Sequence, residues 1–318
     1  MSRPASPEGR GNLLVPPNPL DLRRRERLRV VANEAIGPYT LLRVERGGLD
    51  PGIPGQFFML EAPGRPLPRP MSLCQAPPGE LSFLLEEVGP GTQALASTGP
   101  GEEIHVFGPL GNGYRLDVLG ADLAAPTKRA RGGSAGTSGR TPLLVGGGIG
   151  VAPFPYLSER LGAPPAILGF RSDWHAEAAT LVPNAEVVIE PTLVTEPLTT
   201  LVTHCYKVLA CGPEPMLEAV RELAPDAQLA WEAPMACGYG ACYGCSVEID
   251  GVLQRLCVAG PVLEAGTSAS WGAAGGARPE GAVPRSTGPE STVPSAAPGV
   301  GGARLRRAGA VAGQGGEA

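Results

Sequence analysis

Long apolar runs are missing from this 318-residue chain. No stretch approaches the roughly 18 residues that a membrane-spanning helix requires. The opening residues, MSRPASPEGRGNLLVPPNPLD, hold no apolar core of the kind a secretory signal carries, so a cytoplasmic protein without a membrane span is expected. A strong charge of one sign is missing too. The formal net charge is −5, and the basic run Arg23, Arg24, Arg25, Arg27 and Arg29 is interrupted by Glu26 and joined by no second cluster. A nucleic-acid partner is therefore not expected, and the run reads as a solvated strand entry. Histidine is scarce: His105, His175 and His204 are scattered, offer no acid–base pair and read as structural.

Glycine (46) and proline (36) are abundant, concentrated at the two ends and in one internal stretch. The sequence between must supply the cores. Residues 1–27 read as a disordered leader, 120–141 as a flexible linker rich in Gly, Ala, Ser and Arg, and 266–318 as a disordered tail with Trp271 as its one aromatic. From 28 to 119, short strand-like runs recur between turn signals: LRVVANEAI, YTLLRVER, GQFFMLEA, LSFLLEEV and EEIHVFGPL. Such spacing predicts a small antiparallel barrel.

From 142 to 228 the pattern changes. Strands are expected at PLLV, AILGF, AEVVIE and YKVLACG, with helices over 156–161 and 213–223, which predicts a parallel sheet flanked by helices.

Several segments suit phosphate-bearing cofactors. Arg69, Pro70, Met71 and Ser72 end the third strand region, where a guanidinium can hold a diphosphate and a hydroxyl can meet a flavin ring. Gly89, Gly91 and Thr92 in VGPGTQAL suit a phosphate at a helix N-terminus, and GPLGNGY closes the barrel. Gly146, Gly147, Gly148 and Gly150 in GGGIGVAP form a glycine-rich strand-to-helix turn, readable as a dinucleotide loop or as a tight turn alone. Cys211, Gly212 and Pro213 follow the last strand at the carboxyl edge, where such sheets bind ligands. Cys211 either approaches a nicotinamide or packs there.

Seven cysteines in a reducing compartment are not expected to form a disulfide framework. Cys74 and Cys205 read as buried small residues. Cys237, Cys242, Cys245 and Cys257 stand in the pattern CxxxxCxxC, eleven residues, C, within residues 229–265. This spacing is that of a [2Fe-2S] ferredoxin site, whereas structural zinc, the competing reading, usually takes two separate CxxC knuckles. Gly238, Gly240, Ala241 and Gly244 let the loop wrap closely, so backbone N–H groups can face the sulfurs. SVEIDGVLQRL reads as a hairpin turning at Asp250-Gly251, returning Cys257 to the other three.

Taken together, RPMSL, VGPGT, GPLGNGY, GGGIGVAP, LGFRS, CGPEPM and MACGYGACYGC resemble the electron-transfer subunits of NAD-linked, two-subunit dihydroorotate dehydrogenases, within the ferredoxin-reductase-like superfamily. The resemblance covers about residues 28–265. It implies a β plus α/β fold: FAD on an antiparallel barrel, an NAD site between barrel and α/β domain, and a [2Fe-2S] segment facing a partner. That partner would be an FMN-containing catalytic subunit that oxidises dihydroorotate in pyrimidine biosynthesis, in a heterotetramer of two catalytic and two electron-transfer chains. The shared scaffold also admits sulfhydrogenase or ferredoxin:NADP reductase type subunits. In one place the sequence departs from the family. A glycine-containing loop that relatives carry after the strand written here VVIE is absent, since Glu190 passes through PT directly to LVTEPL. Weakened NAD binding, or another terminal acceptor, is the expectation from that gap.

Overall fold

The computed structural model describes residues 24–117, 140–201, 206–267 and 269–270. All fall within a first compact unit, Met1–Ala277, and the second unit, Arg278–Ala318, lies wholly outside the described residues. The leader before Arg24, most of the 120–141 stretch, His204, Cys205 and nearly all of the tail also lie outside them.

Alternation of buried and exposed side chains carries the first region into strands. In β1 (Arg24–Ile36), Leu28 and Val30 point inward between exposed arginines. β2 (Tyr39–Glu45), β3 (Phe57–Glu61), β4 (Arg69–Ser72), β5 (Glu80–Glu86) and β6 (Glu103–Leu110) complete an antiparallel sheet in the order β4-β3-β6-β1-β2-β5. The sheet nearly closes on itself. Past β4, the Cys74 N–H donates to the Ser82 carbonyl (2.8 Å) and the Ser82 N–H to the Gln75 carbonyl (2.9 Å), tying that end to β5. Phe58 and Phe83 meet edge to face inside the barrel, 5.6 Å between centroids, among Leu42, Leu60, Leu85 and Val106.

Two details differ from the sequence expectation. β1 includes Arg24, ahead of the start expected near Leu28, because Arg24 to Arg29 pair along β6 from Gly108 to Glu103. The outward guanidiniums of Arg25 and Arg27 meet Glu61 and Glu103 at 2.8 and 2.7 Å. The RPMS run, expected to end the third strand, forms a strand of its own at the end of the strand order. Pro70 can donate no ladder hydrogen bond and is tolerated at that position.

The second layer contains β7 (Thr141–Gly147), β8 (Ala166–Phe170), β9 (Ala185–Ile189), β10 (Tyr206–Cys211) and β11 (Gln228–Ala230), parallel in the order β11-β10-β7-β8-β9. α1 (Pro90–Ala96) belongs to the barrel; α2 (Phe154–Leu161), α3 (Asp173–Ala176), α4 (Thr195–Leu201) and α5 (Glu214–Leu223) accompany the sheet. α3 and α4 occupy stretches for which no helix was expected, being too short to show an apolar period.

The cysteine-bearing segment forms the hairpin β12 (Ser246–Ile249) and β13 (Val252–Arg255), then α6 (Leu256–Ala259). It then joins the sheet: β14 (Val262–Glu264) pairs antiparallel with β11. The chain expected to be disordered from 266 first adds β15 (Ala269–Ser270) to β12, where Ile249 pairs with Ala269.

Side chains and backbone stitch the layers together. The buried Tyr114 hydroxyl donates to the Ala210 carbonyl (2.9 Å). The Arg115 N–H donates to Gln228 Oε1 (2.7 Å), and Gln228 Nε2 returns a bond to the Arg115 carbonyl (3.1 Å). Tyr114→Phe removes one such bond without changing volume. It should cost about 1 kcal/mol, read as a lower urea midpoint at unchanged slope.

Candidate cofactor and cluster sites

The parallel sheet has a topological switch between β7 and β10: the chain runs outward from β7 through β8 to β9, then returns to lay β10 on the other side. Ligands of such sheets bind at the carboxyl ends beside that reversal. Two separated motifs meet there. Gly146 is in register with Cys211, and Gly147 lies against Pro213 and Met216. A side chain at Gly150 would collide with the Cys211 carbonyl and Gly212, so glycine is required by the close approach of the two loops.

Cys211 itself is buried, and burial, with a smaller contribution from Glu232, holds its thiol far above the ordinary range. It packs in the core with Leu144, Phe154 and Leu209. Of the two readings of Cys211, geometry favours the packed one.

Sequence reasoning missed the barrel's contribution to this cleft. The Tyr39 hydroxyl, at the start of β2, stands 4.0 Å from where a Gly148 side chain would begin. Tyr39 also meets the His175 ring edge to face at 6.1 Å. His175 Nδ1 lies 2.8 Å from Ser172 Oγ and Nε2 lies 3.0 Å from Arg171 Nη2. Burial, followed by the neighbouring Arg171, lowers the His175 pKa. Only the run LGFRS hinted at this group.

On the barrel, Arg69 and the VGPGT turn come together. The Arg69 guanidinium lies against Gly91, where any side chain would displace it. Its Nη1 donates to the Leu67 and Pro68 carbonyls at 3.1 and 3.2 Å. Gly89 caps α1; the Thr92 hydroxyl donates back to the Gly89 carbonyl (3.1 Å) and accepts from its N–H (3.2 Å). Along β4, Arg69 and Met71 pair with Leu60 and Phe58, while Pro70 and Ser72 share the other face with Met59 and Phe57. Alternation thus divides the motif, with Arg69 on one face of the barrel wall and Ser72 on the other.

The cysteine loop packs on that second face. Gly238, at φ +77°, leaves no room for a side chain against Met59 and Leu110, which is why the residue after Cys237 must be glycine. Tyr239 meets Phe107 of β6 edge to face at 5.9 Å. The hairpin turns at Asp250 and Gly251, both at positive φ as a two-residue turn requires. Its return brings the Leu256 N–H to the Cys245 carbonyl at 3.0 Å.

Backbone N–H groups face the sulfurs: Gly244 to Cys242 Sγ and Cys257 to Cys245 Sγ, each at 3.5 Å. Among the described residues, no three His, Cys, Asp or Glu side chains converge as ligands of one metal ion. The Cys242 thiol is a neighbour of Cys237, and the Cys245 and Cys237 thiols are neighbours of Cys257. For Cys237, burial raises the pKa, but hydrogen bonds from the Cys242 and Tyr239 backbone and the Cys242 thiol outweigh it, leaving a value of about 7. Cys257 is pushed up to about 12 by burial and then by the Cys245 thiol. Four cysteines in one segment, with backbone donors aimed at two of the sulfurs, suit thiolate ligands. The donor set therefore fits an iron–sulfur centre. Cys74, away from this loop, is fully buried, and burial raises its pKa to about 12.

Barrel, switch-point sheet and cysteine loop together define a ferredoxin-reductase-like fold with an iron–sulfur segment. In its fold the chain is similar to the NADH-dependent reduced ferredoxin–NADP oxidoreductase, with a TM-score of 0.61 and 21% identity over 75% of this chain and 88% of that one. It is also similar to phthalate dioxygenase reductase, with a TM-score of 0.51 and 14% identity over 71% and 86%. A family model described as the iron–sulfur cluster binding domain of dihydroorotate dehydrogenase B matches residues 232–267. The "dihydroorotate dehydrogenase B (NAD(+)), electron transfer subunit" of Geobacillus sp. (strain WCH70) is 32% identical over 76% of this chain and 98% of its own length. Its namesake in Geobacillus thermodenitrificans is 33% identical over 76% and 97%. The chain belongs to this family of dihydroorotate dehydrogenase B electron transfer subunits.

Proposed function

We propose that this chain carries electrons from an FMN-containing dihydroorotate dehydrogenase subunit to NAD, by way of a [2Fe-2S] centre and FAD. It is an oxidoreductase subunit acting in pyrimidine biosynthesis, in the cytoplasm, as part of a heterotetramer of two catalytic and two electron-transfer chains. The observation that carries this reading is a shared wall. The cysteine loop rests on Met59 of β3, and β3 pairs directly with β4, which bears Arg69 to Ser72.

When bound, the iron–sulfur centre supplies one-electron transfer and FAD couples it to two-electron hydride transfer with the nicotinamide. The chain's residues hold and orient these groups. Cys237, Cys242, Cys245 and Cys257 would hold the iron–sulfur centre. Arg69 neutralises the flavin diphosphate beside Gly89, Gly91 and Thr92; Pro70, Met71 and Ser72 provide the strand on which the flavin rests. Gly146, Gly147, Gly148 and Gly150, opposite Gly212 and Pro213 and the Cys211 backbone, form the dinucleotide edge. By this reading the compact regions are 28–119 with its Arg24 extension, 142–228 and 229–265.

Within the cysteine segment, Cys242 and the side chains of Tyr239, Tyr243, Val252, Leu253 and Val258 are solvent-facing. These exposed apolar side chains suit a surface for the catalytic partner. Among the described residues no helix is long and apolar enough to cross a membrane. The relatives' name carries NAD(+), which favours NAD as the acceptor despite the shortened turn at Glu190, Pro191 and Thr192. That turn is expected to show itself as weaker NADH binding, not as its loss.

The test is anaerobic reconstitution with the FMN-bearing subunit. Dihydroorotate should bleach the FAD of this chain and, with NAD present, produce NADH. Bleaching of the partner's FMN alone, with this chain's flavin left oxidised, would contradict the proposal.

A further inference from the structure

One side chain ties together the three pieces of backbone that carry the cysteines. Arg255, the last residue of β13, lies two positions before Cys257. Its Nη1 donates to the Gly240 carbonyl at 2.8 Å, in the stretch between Cys237 and Cys242. Its guanidinium lies over the Tyr243 ring, 4.8 Å from the centroid, in the stretch between Cys242 and Cys245. Tyr243 holds a positive φ of 59°, a conformation that costs free energy in a bulky residue and persists where surroundings enforce it. The planar guanidinium can do both jobs at once, donating in its plane and stacking through its face, which an ammonium cannot.

From this geometry we infer that Arg255 is a positioning residue for the iron–sulfur centre: it pins the ligand loop and places a fixed positive charge beside the cluster, favouring the reduced state. The inference rests on the cluster reading above. Reduction adds one negative charge, so a cation at the loop stabilises the reduced form more than the oxidised one, and the potential rises. The step is a single electron added, with no bond made or broken. Pinning and charge are separable, because lysine keeps the charge but cannot also stack flat on Tyr243 while donating to Gly240.

The experiment is a mediated redox titration of the cofactor-loaded full chain, followed by optical and spin-resonance spectra, for Arg255→Gln, Arg255→Lys and Tyr243→Leu. In R255Q the reduced-to-oxidised ratio at a fixed poise should fall about tenfold, equal to roughly 59 mV for a one-electron centre. R255K should keep the native potential within about a third of that shift, while R255K and Y243L both lose iron to a chelator faster than the native chain. A native potential in R255Q would overturn the inference, as would native iron retention in both R255K and Y243L. Should R255Q assemble no cluster, R255K and Y243L decide: faster iron loss in both supports the clamp, and native retention in both refutes it. Failure of the cluster reading itself looks different, because the unmodified chain would then contain no iron or sulfide to titrate.

Discussion

Cys242→Ser is expected to abolish the iron–sulfur centre while leaving FAD in place. Cys242 is the exposed member of the four thiols and closes the outer side of the loop, where its Sγ accepts from the Gly244 N–H. A serine hydroxyl is a harder, less acidic donor at the same position and matches iron–sulfur chemistry poorly. The centre would then keep three of its four cysteine ligands. Arg69 and its Gly91 seat are spared, since Arg69 is on the face of the barrel wall away from the cysteine loop. Dihydroorotate-driven NADH formation by the reconstituted complex should fall by more than the ~100-fold typical of losing a single outer-shell partner at a metal site. NADH should still reduce the FAD. Iron content, visible spectrum and these two rates check the prediction; loss of flavin together with iron would show that loop and barrel are not the separate supports described here.

Arg69→Ala is expected to act in the opposite sense, weakening FAD and leaving the centre assembled. Arg69 is anchored by two backbone carbonyls and seated on Gly91 at the start of α1, so its guanidinium is pre-organised before any diphosphate arrives. Hydrogen bonds to a charged group contribute about 1.5–3 kcal/mol, so FAD affinity should drop roughly 10- to 150-fold. Arg69→Lys should recover only part of this, because a single ammonium lacks the fork that meets two oxygens. Flavin titration of the stripped chain measures the effect. Unchanged affinity in R69A would remove the RPMS strand from the flavin site.

Sequence pattern reached far into this molecule where the physics was local. AILGF is the strand β8 from end to end, and Asp250-Gly251 turns its hairpin, because short apolar runs and positive-φ residues signal themselves within a few positions. Strands that exist only through their partners stayed hidden. The three residues of β11 and of β14 carry no readable alternation, and β1 extends back to Arg24 only because β6 lies alongside to bind its backbone.

The cluster site shows the same division. Cysteine spacing marked the four candidate ligands, yet the bridge that Arg255 makes between Gly240 and Tyr243 depends on a loop fold that spacing does not encode. Spacing likewise said nothing of the Met59 contact that sets the loop on β3. Tyr39 reached the dinucleotide edge from a different layer altogether, over a sequence distance at which no pattern is visible.

The central claim is that FAD and a [2Fe-2S] centre share this one chain. Anaerobic purification followed by the visible spectrum and iron, sulfide, zinc and flavin analysis tests it most directly. The account predicts a brown protein holding one FAD, about two irons and about two acid-labile sulfides per chain. A colourless protein with zinc in place of iron and no labile sulfide would contradict it.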